Sequence, residues 1–189
     1  MICNTAVKDG LLERNPCDVR GAMNPKAKEK VKIPTTVELH GIADKLGTDP
    51  RYERFKPLVL LAGWCGMRFG EVSELRRRDF DRDCTTVTVS RGVTHRLSED
   101  GSRCGIDATK NGEERTVSIP PHIREDVKTQ LQRYVSSDPD ALLFAPARGG
   151  CHLNDRVFNK DVFKKAAKDV AVSAGRVPFG SLYFRCLQR

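Results

Sequence analysis

Eight consecutive apolar or small residues, Leu58-Val59-Leu60-Leu61-Ala62-Gly63-Trp64-Cys65, run directly into Gly66-Met67-Arg68-Phe69-Gly70-Glu71. A segment that apolar has no face to offer water, so it predicts a helix inside a core rather than on a surface. An arginine between two glycines at the exit of a core helix is poorly explained by solvation. The hexapeptide opens a second helix, Glu71-Val72-Ser73-Glu74-Leu75-Arg76, with Arg68 at the corner and Glu71 three residues on to hold it. Free backbone N–H groups gather at such a corner, which makes it a place to bind an anion.

The pattern around this corner alternates helices with short strands. Met1 to about Lys32 reads as a short helix, broken at Asn15-Pro16, and a basic linker too small to bury a core. From Ile33 the character changes. Thr35 and Glu38 form a capping box, and Leu39, Ile42, Ala43 and Leu46 follow at helical spacing. Thr86-Val87-Thr88-Val89-Ser90 and Arg115-Thr116-Val117-Ser118-Ile119 alternate as strands do, with a long polar connection from Thr94 to Gly112 between them. Pro120-Pro121 starts a helix through Ile123, Val127, Leu131 and Tyr134. Leu142-Leu143-Phe144 is a short buried piece. Asn154 caps a last helix carrying Val157, Phe158, Val162, Phe163, Ala166 and Val170. After Gly175 the pattern fades.

A chain of 189 residues suits one full domain plus a fragment, and 39% hydrophobic residues are enough for a core. The net charge of +8 favours a polyanionic partner. Seven cysteines, at positions 3, 17, 65, 84, 104, 151 and 186, include no C-x-x-C and follow no secretory leader, so they read as scattered reduced thiols. A zinc site from Cys104, Cys151 and His152 is conceivable but has no support in the spacing; neither metal nor cofactor is expected. No apolar run approaches the ~20 residues that span a bilayer, so no membrane partner and a soluble, cytoplasmic protein are expected.

A second basic residue stands out. Lys110 precedes the strand in Thr109-Lys110-Asn111-Gly112-Glu113-Glu114-Arg115-Thr116-Val117-Ser118-Ile119-Pro120. With the first block, Gly66-Met67-Arg68-Phe69-Gly70-Glu71-Val72-Ser73-Glu74-Leu75-Arg76-Arg77-Arg78-Asp79, it resembles the catalytic domain of phage integrases, the tyrosine recombinases. That family's first block runs Gly-(Leu/Met)-Arg-x-Gly-Glu-hydrophobic-x-x-Leu-x-x-x-Asp. Gly10-Leu11-Leu12-Glu13-Arg14-Asn15-Pro16-Cys17 looks like the end of the preceding core-binding domain. The resemblance covers the chain to about Gly175. It implies an α+β, mostly helical fold, helices around a small antiparallel sheet, with residues 1–32 as a core-binding remnant plus linker and 33–189 as the catalytic domain.

The same resemblance implies double-stranded DNA as partner, together with other integrase subunits. In the family a tyrosine attacks a phosphodiester, and negative charge gathers on the non-bridging oxygens. Always-charged guanidinium forks suit that charge, and a lysine can protonate the leaving 5′-oxygen. Arg68 is then the phosphate-clamping arginine, Glu71 its supporting acid and Lys110 the leaving-group acid. Arg76, Arg77 and Arg78 read equally as a DNA patch and as a solvated helix end whose cations favour the dipole. Lys164 and Lys165 lie in a basic C-terminal segment that can track phosphates without reading sequence.

The pattern breaks at the family's His-x-x-Arg block. Ala174-Gly175 is followed by Arg176-Val177-Pro178-Phe179-Gly180-Ser181-Leu182-Tyr183-Phe184-Arg185. One register puts Gly180 and Tyr183 in the histidine and arginine places; the other puts Leu182 and Arg185 there. Neither supplies the histidine. The later Gly-His block and nucleophilic tyrosine have no counterpart, and Tyr52, Tyr134 and Tyr183 do not fit the role. The expectation is a prophage-type integrase fragment, truncated at the C-terminus and catalytically defective, or alternatively a non-catalytic protein that occupies recombination sites or modulates an intact integrase.

Overall fold

The structure, a computed structural model, describes residues 2–17, 34–95, 104–109, 112–146 and 149–173, with residues 171–173 described by backbone alone. The chain divides into two compact units, Met1–Val31 and Lys32–Arg189. In the first, helix α1 (Ile2–Lys8) buries no residue, and Leu11 and Leu12 are exposed, so among its described residues there is no core.

The second unit is organised around the apolar octet. Helix α2 (Thr36–Gly47) begins at the expected capping box, with the Glu38 N–H donating to Thr35 Oγ1 at 3.3 Å and the Thr35 N–H to Glu38 Oε2 at 2.8 Å. Its spaced apolar positions, Leu39, Ile42, Ala43 and Leu46, are all buried. A 3₁₀ turn at Glu53–Phe55 leads into α3 (Lys56–Trp64), where Pro57 sits in the first turn and its missing N–H leaves nothing unpaired. Leu58 to Ala62 are at most 1% exposed, and α3 packs on both α2 and α5 (Pro121–Arg133). Between α3 and the strands lies the short helix α4 (Phe69–Glu74).

Four short strands make two antiparallel ribbons. Strand β1 (Thr86–Val89) pairs with β4 (Arg115–Ser118), Val87 opposite Val117. Strand β2 (Arg91–Thr94) pairs with β3 (Gly105–Ala108), Val93 opposite Ile106. Alternation in the sequence finds β1 and β4 but not the second ribbon, so the stretch from Thr94 to Gly112 is not all connection. The physical reason is that β2 buries only Val93 while β3 leaves Ile106 exposed, and backbone hydrogen bonds rather than an apolar face define the pair.

The last predicted helix forms in three parts. Asn154 Oδ1 accepts the N–H groups of Arg156 and Val157, capping α6 (Asp155–Val157). A π-helical stretch, Phe158–Phe163, then widens the coil before α7 (Lys164–Ser173). Phe158, Val162, Phe163 and Ala166 are buried as expected, whereas Val157 faces solvent. The result is the expected α+β arrangement, mostly helical, around small antiparallel ribbons. No helix among the described residues is long and apolar enough to cross a membrane.

The reading of seven separate thiols needs correction. Cys104, just before β3, and Cys151, in the loop before α6, are 47 residues apart yet joined by a disulfide, because the fold brings those two segments together. Cys3, Cys17, Cys65 and Cys84 are free, and Cys186 lies outside the described residues.

Candidate functional site

Helix α3 ends at Cys65, and Gly66 then takes φ +61°, the left-handed conformation that glycine adopts without a Cβ penalty. This turn buries Met67 and delivers Arg68, in extended conformation, to the N-cap of α4. The Arg68 N–H donates to Glu71 Oε2 at 2.8 Å, and Arg68 Nη1 donates to Glu71 Oε1 at 2.8 Å. Glu71 thus holds both ends of the same residue, the backbone and the guanidinium.

A second arginine shares that carboxylate. Arg115, at the start of β4, donates through Nη1 to Glu71 Oε1 at 3.1 Å and through Nη2 to Oε2 at 2.7 Å, a two-pronged pairing. Burial pushes the Glu71 carboxyl upward, but the bonds from Arg115 and Arg68 outweigh it and hold it below its ordinary value. The Glu71 side chain is only 4% exposed, while those of Arg68 and Arg115 are 47% and 37% exposed. Two guanidiniums against one carboxylate leave an excess positive charge whose free N–H edges reach solvent. A monoanion with several acceptor oxygens matches that charge.

One turn further on, Glu74 is fully buried and closes a tighter cluster. It accepts Arg76 Nε and Arg91 Nε, each at 2.9 Å, and His152 Nε2. Arg91 also donates to Asp79 Oδ2 at 2.9 Å. Burial raises the Glu74 carboxyl, yet the bonds from His152, Arg91 and Arg76 bring it down to about 2. This cluster ties α4 to β2 and to the loop before α6, fixing from behind the helix that carries Glu71. Close packing adds to the same end: a Cβ on Gly70 would stand 2.5 Å from the Val93 carbonyl oxygen, so only glycine lets α4 lie this close to β2.

The expected Arg68–Glu71 pair is therefore assembled as its spacing implies. Lys110 and Arg185 lie outside the described residues. All three consecutive arginines have partners, Arg76 and Arg77 partly buried and Arg78 exposed, and they follow the end of α4 rather than forming its last turn. Arg76 pairs with Glu74 and Asp140; Arg77, in a 3₁₀ turn, donates to Leu131 O in the last turn of α5 and to Val135 O at 2.8 Å and Ser136 O at 2.6 Å just beyond it; Arg78, half-exposed, reaches Asp140 at 2.7 Å. Lys164 and Lys165 are exposed on α7.

Sequence reasoning missed Arg115, Glu74 and Arg91, and named His152 only as a conceivable zinc ligand, not as a partner of Glu74. The available signal was weak: Glu74 follows Glu71 at helical spacing on an otherwise apolar segment, and Arg115 breaks the apolar side of a strand. Cys104, Cys151 and His152, which the spacing along the chain did not support as a site, have ligand atoms that all lie within 4.8 Å of one another.

No family model matches the chain. The prophage phiRv2 integrase of Mycobacterium tuberculosis is 36% identical over 143 residues, spanning 76% of this chain and 36% of the relative. A XerC-like tyrosine recombinase of Caldanaerobacter subterraneus is 32% identical over 139 residues, 69% of this chain and 35% of the relative. This chain therefore spans little more than a third of those relatives' length. Among solved structures, the Tn1549 transposon integrase, determined with a circular intermediate DNA, superposes with a TM-score of 0.74 over 98% of this chain and 60% of its own, at 15% identity. That likeness speaks for the fold, and the sequence relatives speak for the lineage. The chain belongs to the phage integrase family of tyrosine recombinases.

Proposed function

We propose that this chain is the phosphate-holding portion of a site-specific DNA recombinase, and that its 189 residues do not by themselves cut DNA. The observation that carries the reading is the half-exposed Arg68 guanidinium, fixed at the α4 corner by a buried Glu71 that it shares with Arg115. Arg68 clamps a non-bridging phosphate oxygen; Glu71 sets its direction; Lys110 is the residue assigned to protonate the leaving oxygen. Lys164 and Lys165 add sequence-independent attraction to the backbone. Residues 1–32 are the tail of a core-binding domain and 33–189 the catalytic domain. Cleavage requires a nucleophile, and positioned cations do not attack phosphorus. Neither register of residues 176–185 supplies the family's histidine, and no tyrosine stands in the nucleophile's place.

Two measurements test this. Fluorescence anisotropy with a duplex DNA across a salt series should show binding that weakens with salt. Arg68→Ala should reduce the log–log salt slope by about one, the loss of one phosphate contact. A duplex nicked at the attachment site should give no denaturant-stable adduct with this chain. An adduct would overturn the claim of inactivity. An absence of binding even at low salt would overturn the claim of phosphate recognition. The second reading, a non-catalytic protein occupying recombination sites, is favoured by the same half-exposed pair of arginines and predicts sequence-selective binding that competes with an intact integrase.

A further inference from the structure

Independently of that reading, the segments around the second ribbon bring three metal-ligating side chains together, with a fourth beside one of them. Cys104 and Cys151 meet across the start of β3 and the loop before α6, and a ring nitrogen of His152 lies within 4.8 Å of both sulfurs. His95, one residue past β2, places Nδ1 3.5 Å from Cys104 Sγ. Both histidines are set in the same way. His95 Nε2 lies 3.0 Å from the carbonyl oxygen of Leu153, which can only accept, so Nε2 carries the proton and Nδ1 keeps a lone pair. His152 Nε2 faces the ionised carboxylate of Glu74, which again can only accept. The His152 side chain is 7% exposed, and its Nδ1 is buried with no hydrogen-bond partner. A buried ring nitrogen with nothing to bond is costly unless a ligand takes it.

We propose that, once the Cys104–Cys151 bond is reduced, Cys104, Cys151, His95 and His152 bind a zinc ion. Two thiolates and two imidazoles are the tetrahedral donor set that selects zinc. Bond lengths of about 2.3 Å to sulfur and about 2.0–2.1 Å to nitrogen put a neighbouring sulfur and nitrogen at roughly 3.5–3.6 Å, matching the 3.5 Å His95–Cys104 separation. The Leu153 carbonyl and the Glu74 carboxylate supply the outer hydrogen bonds that orient metal-bound imidazoles. In chemical balance, a dithiol reductant gives two electrons and two protons to the disulfide and becomes a disulfide itself; zinc then displaces the two thiol protons to solvent. The ion would pin the end of β2, the start of β3 and the approach to α6 in place of the covalent bond.

The test uses the full 189-residue chain, reduced, loaded with zinc and desalted. Elemental analysis should find one zinc per chain. Cobalt substitution should give thiolate-to-metal charge-transfer absorption with the intense visible bands of a tetrahedral site. Cys151→Ser and His152→Asn should lose the cobalt spectrum, with folding checked by far-ultraviolet circular dichroism; Cys3→Ser with Cys17→Ser should keep it. A reduced wild-type chain that retains no zinc, or a tetrahedral cobalt spectrum that survives Cys151→Ser, would overturn the proposal. So would a chain that re-forms the disulfide and excludes metal when zinc is present with reductant.

Discussion

Replacing Glu74 by Gln tests how much of the fold hangs on one buried carboxylate. The side chain is closed off from solvent, and it accepts from Arg76, Arg91 and His152. A carboxyl that ordinarily titrates at 4.5 titrates here at about 2. At about 1.4 kcal/mol per pH unit, that displacement corresponds to roughly 3 kcal/mol of stability at neutral pH. Breaking a buried ion pair from one side costs about 3–5 kcal/mol. Arg76 and Arg91 keep 23% and 20% exposure and can partly return to water, which favours the lower end. Glutamine keeps the shape, but its NH₂ confronts a guanidinium donor with another donor. The sign with pH is fixed by the downward shift. The stabilisation is complete above about 4.5 and drains as pH falls toward 2. Urea denaturation followed by circular dichroism, in reducing, metal-free buffer from pH 7 to pH 3, should show Glu74→Gln about 3 kcal/mol less stable at pH 7. The gap to wild type should narrow in acid. The low-titrating Asp49 and Asp81 are present in both proteins and cancel in the difference. A variant within about 0.5 kcal/mol of wild type at pH 7, or a gap that does not change with pH, would refute the reasoning.

Three further outcomes follow from local geometry. Gly70→Ala should destabilise by about 1–2 kcal/mol, because a methyl 2.5 Å from the Val93 carbonyl forces over-packing that exceeds the helix-propensity gain of up to about 1 kcal/mol; a raised melting temperature would contradict this. Arg77→Ala should cost about 1–2 kcal/mol by leaving the Leu131, Val135 and Ser136 carbonyls without its guanidinium, and amide exchange should quicken selectively at the end of α5 and in the turn that follows, whereas uniform exchange would speak against a capping role. Burial pushes the Cys65 thiol up to about 11 from 9.0, so its thiolate fraction at pH 8 falls roughly a hundredfold and iodoacetamide should label it far more slowly than a free thiol peptide; equal rates would be inconsistent with the buried setting.

What could be read in the sequence was what depends on neighbours along the chain. The capping box at Thr35 and Glu38, the buried face of α2 and the Arg68–Glu71 pair all involve residues three or four apart, where helical geometry leaves little choice. The strand pair β1–β4 was legible because Val87, Val89 and Val117 alternate toward the core. The second ribbon was not, since Ile106 is exposed and β3 contributes no buried side chain. Arg115, 44 residues from Glu71, and His152, 78 residues from Glu74, were invisible for another reason: a charged residue announces that it needs a partner but not which one. The same applies to Cys104 and Cys151. The run Arg76-Arg77-Arg78 hides a difference the sequence does not show: Arg76 and Arg77 are tied into the fold, whereas Arg78 is half-exposed in a surface pair with Asp140.

The two carboxylates of α4 show why net charge is a poor guide to where an anion will sit. Glu71 and Glu74 lie one turn apart, both buried, and each is matched by two arginines drawn from different segments. By count of arginines the clusters are alike, although Glu74 also holds His152, but they differ in exposure. Around Glu74 the arginines are 20% and 23% exposed, and an arriving phosphate would have to break existing bonds to reach them. Around Glu71 they are 37% and 47% exposed, and unused guanidinium edges remain open to solvent. Ion pairs cancel within the net charge of +8, so that figure does not say which cations are enclosed and which, like the two beside Glu71, are aimed outward by a buried acid. The fixed cluster behind it is what permits that openness: because Glu74 locks α4 to β2 and to the α6 approach, Glu71 can hold Arg68 in place without closing over it.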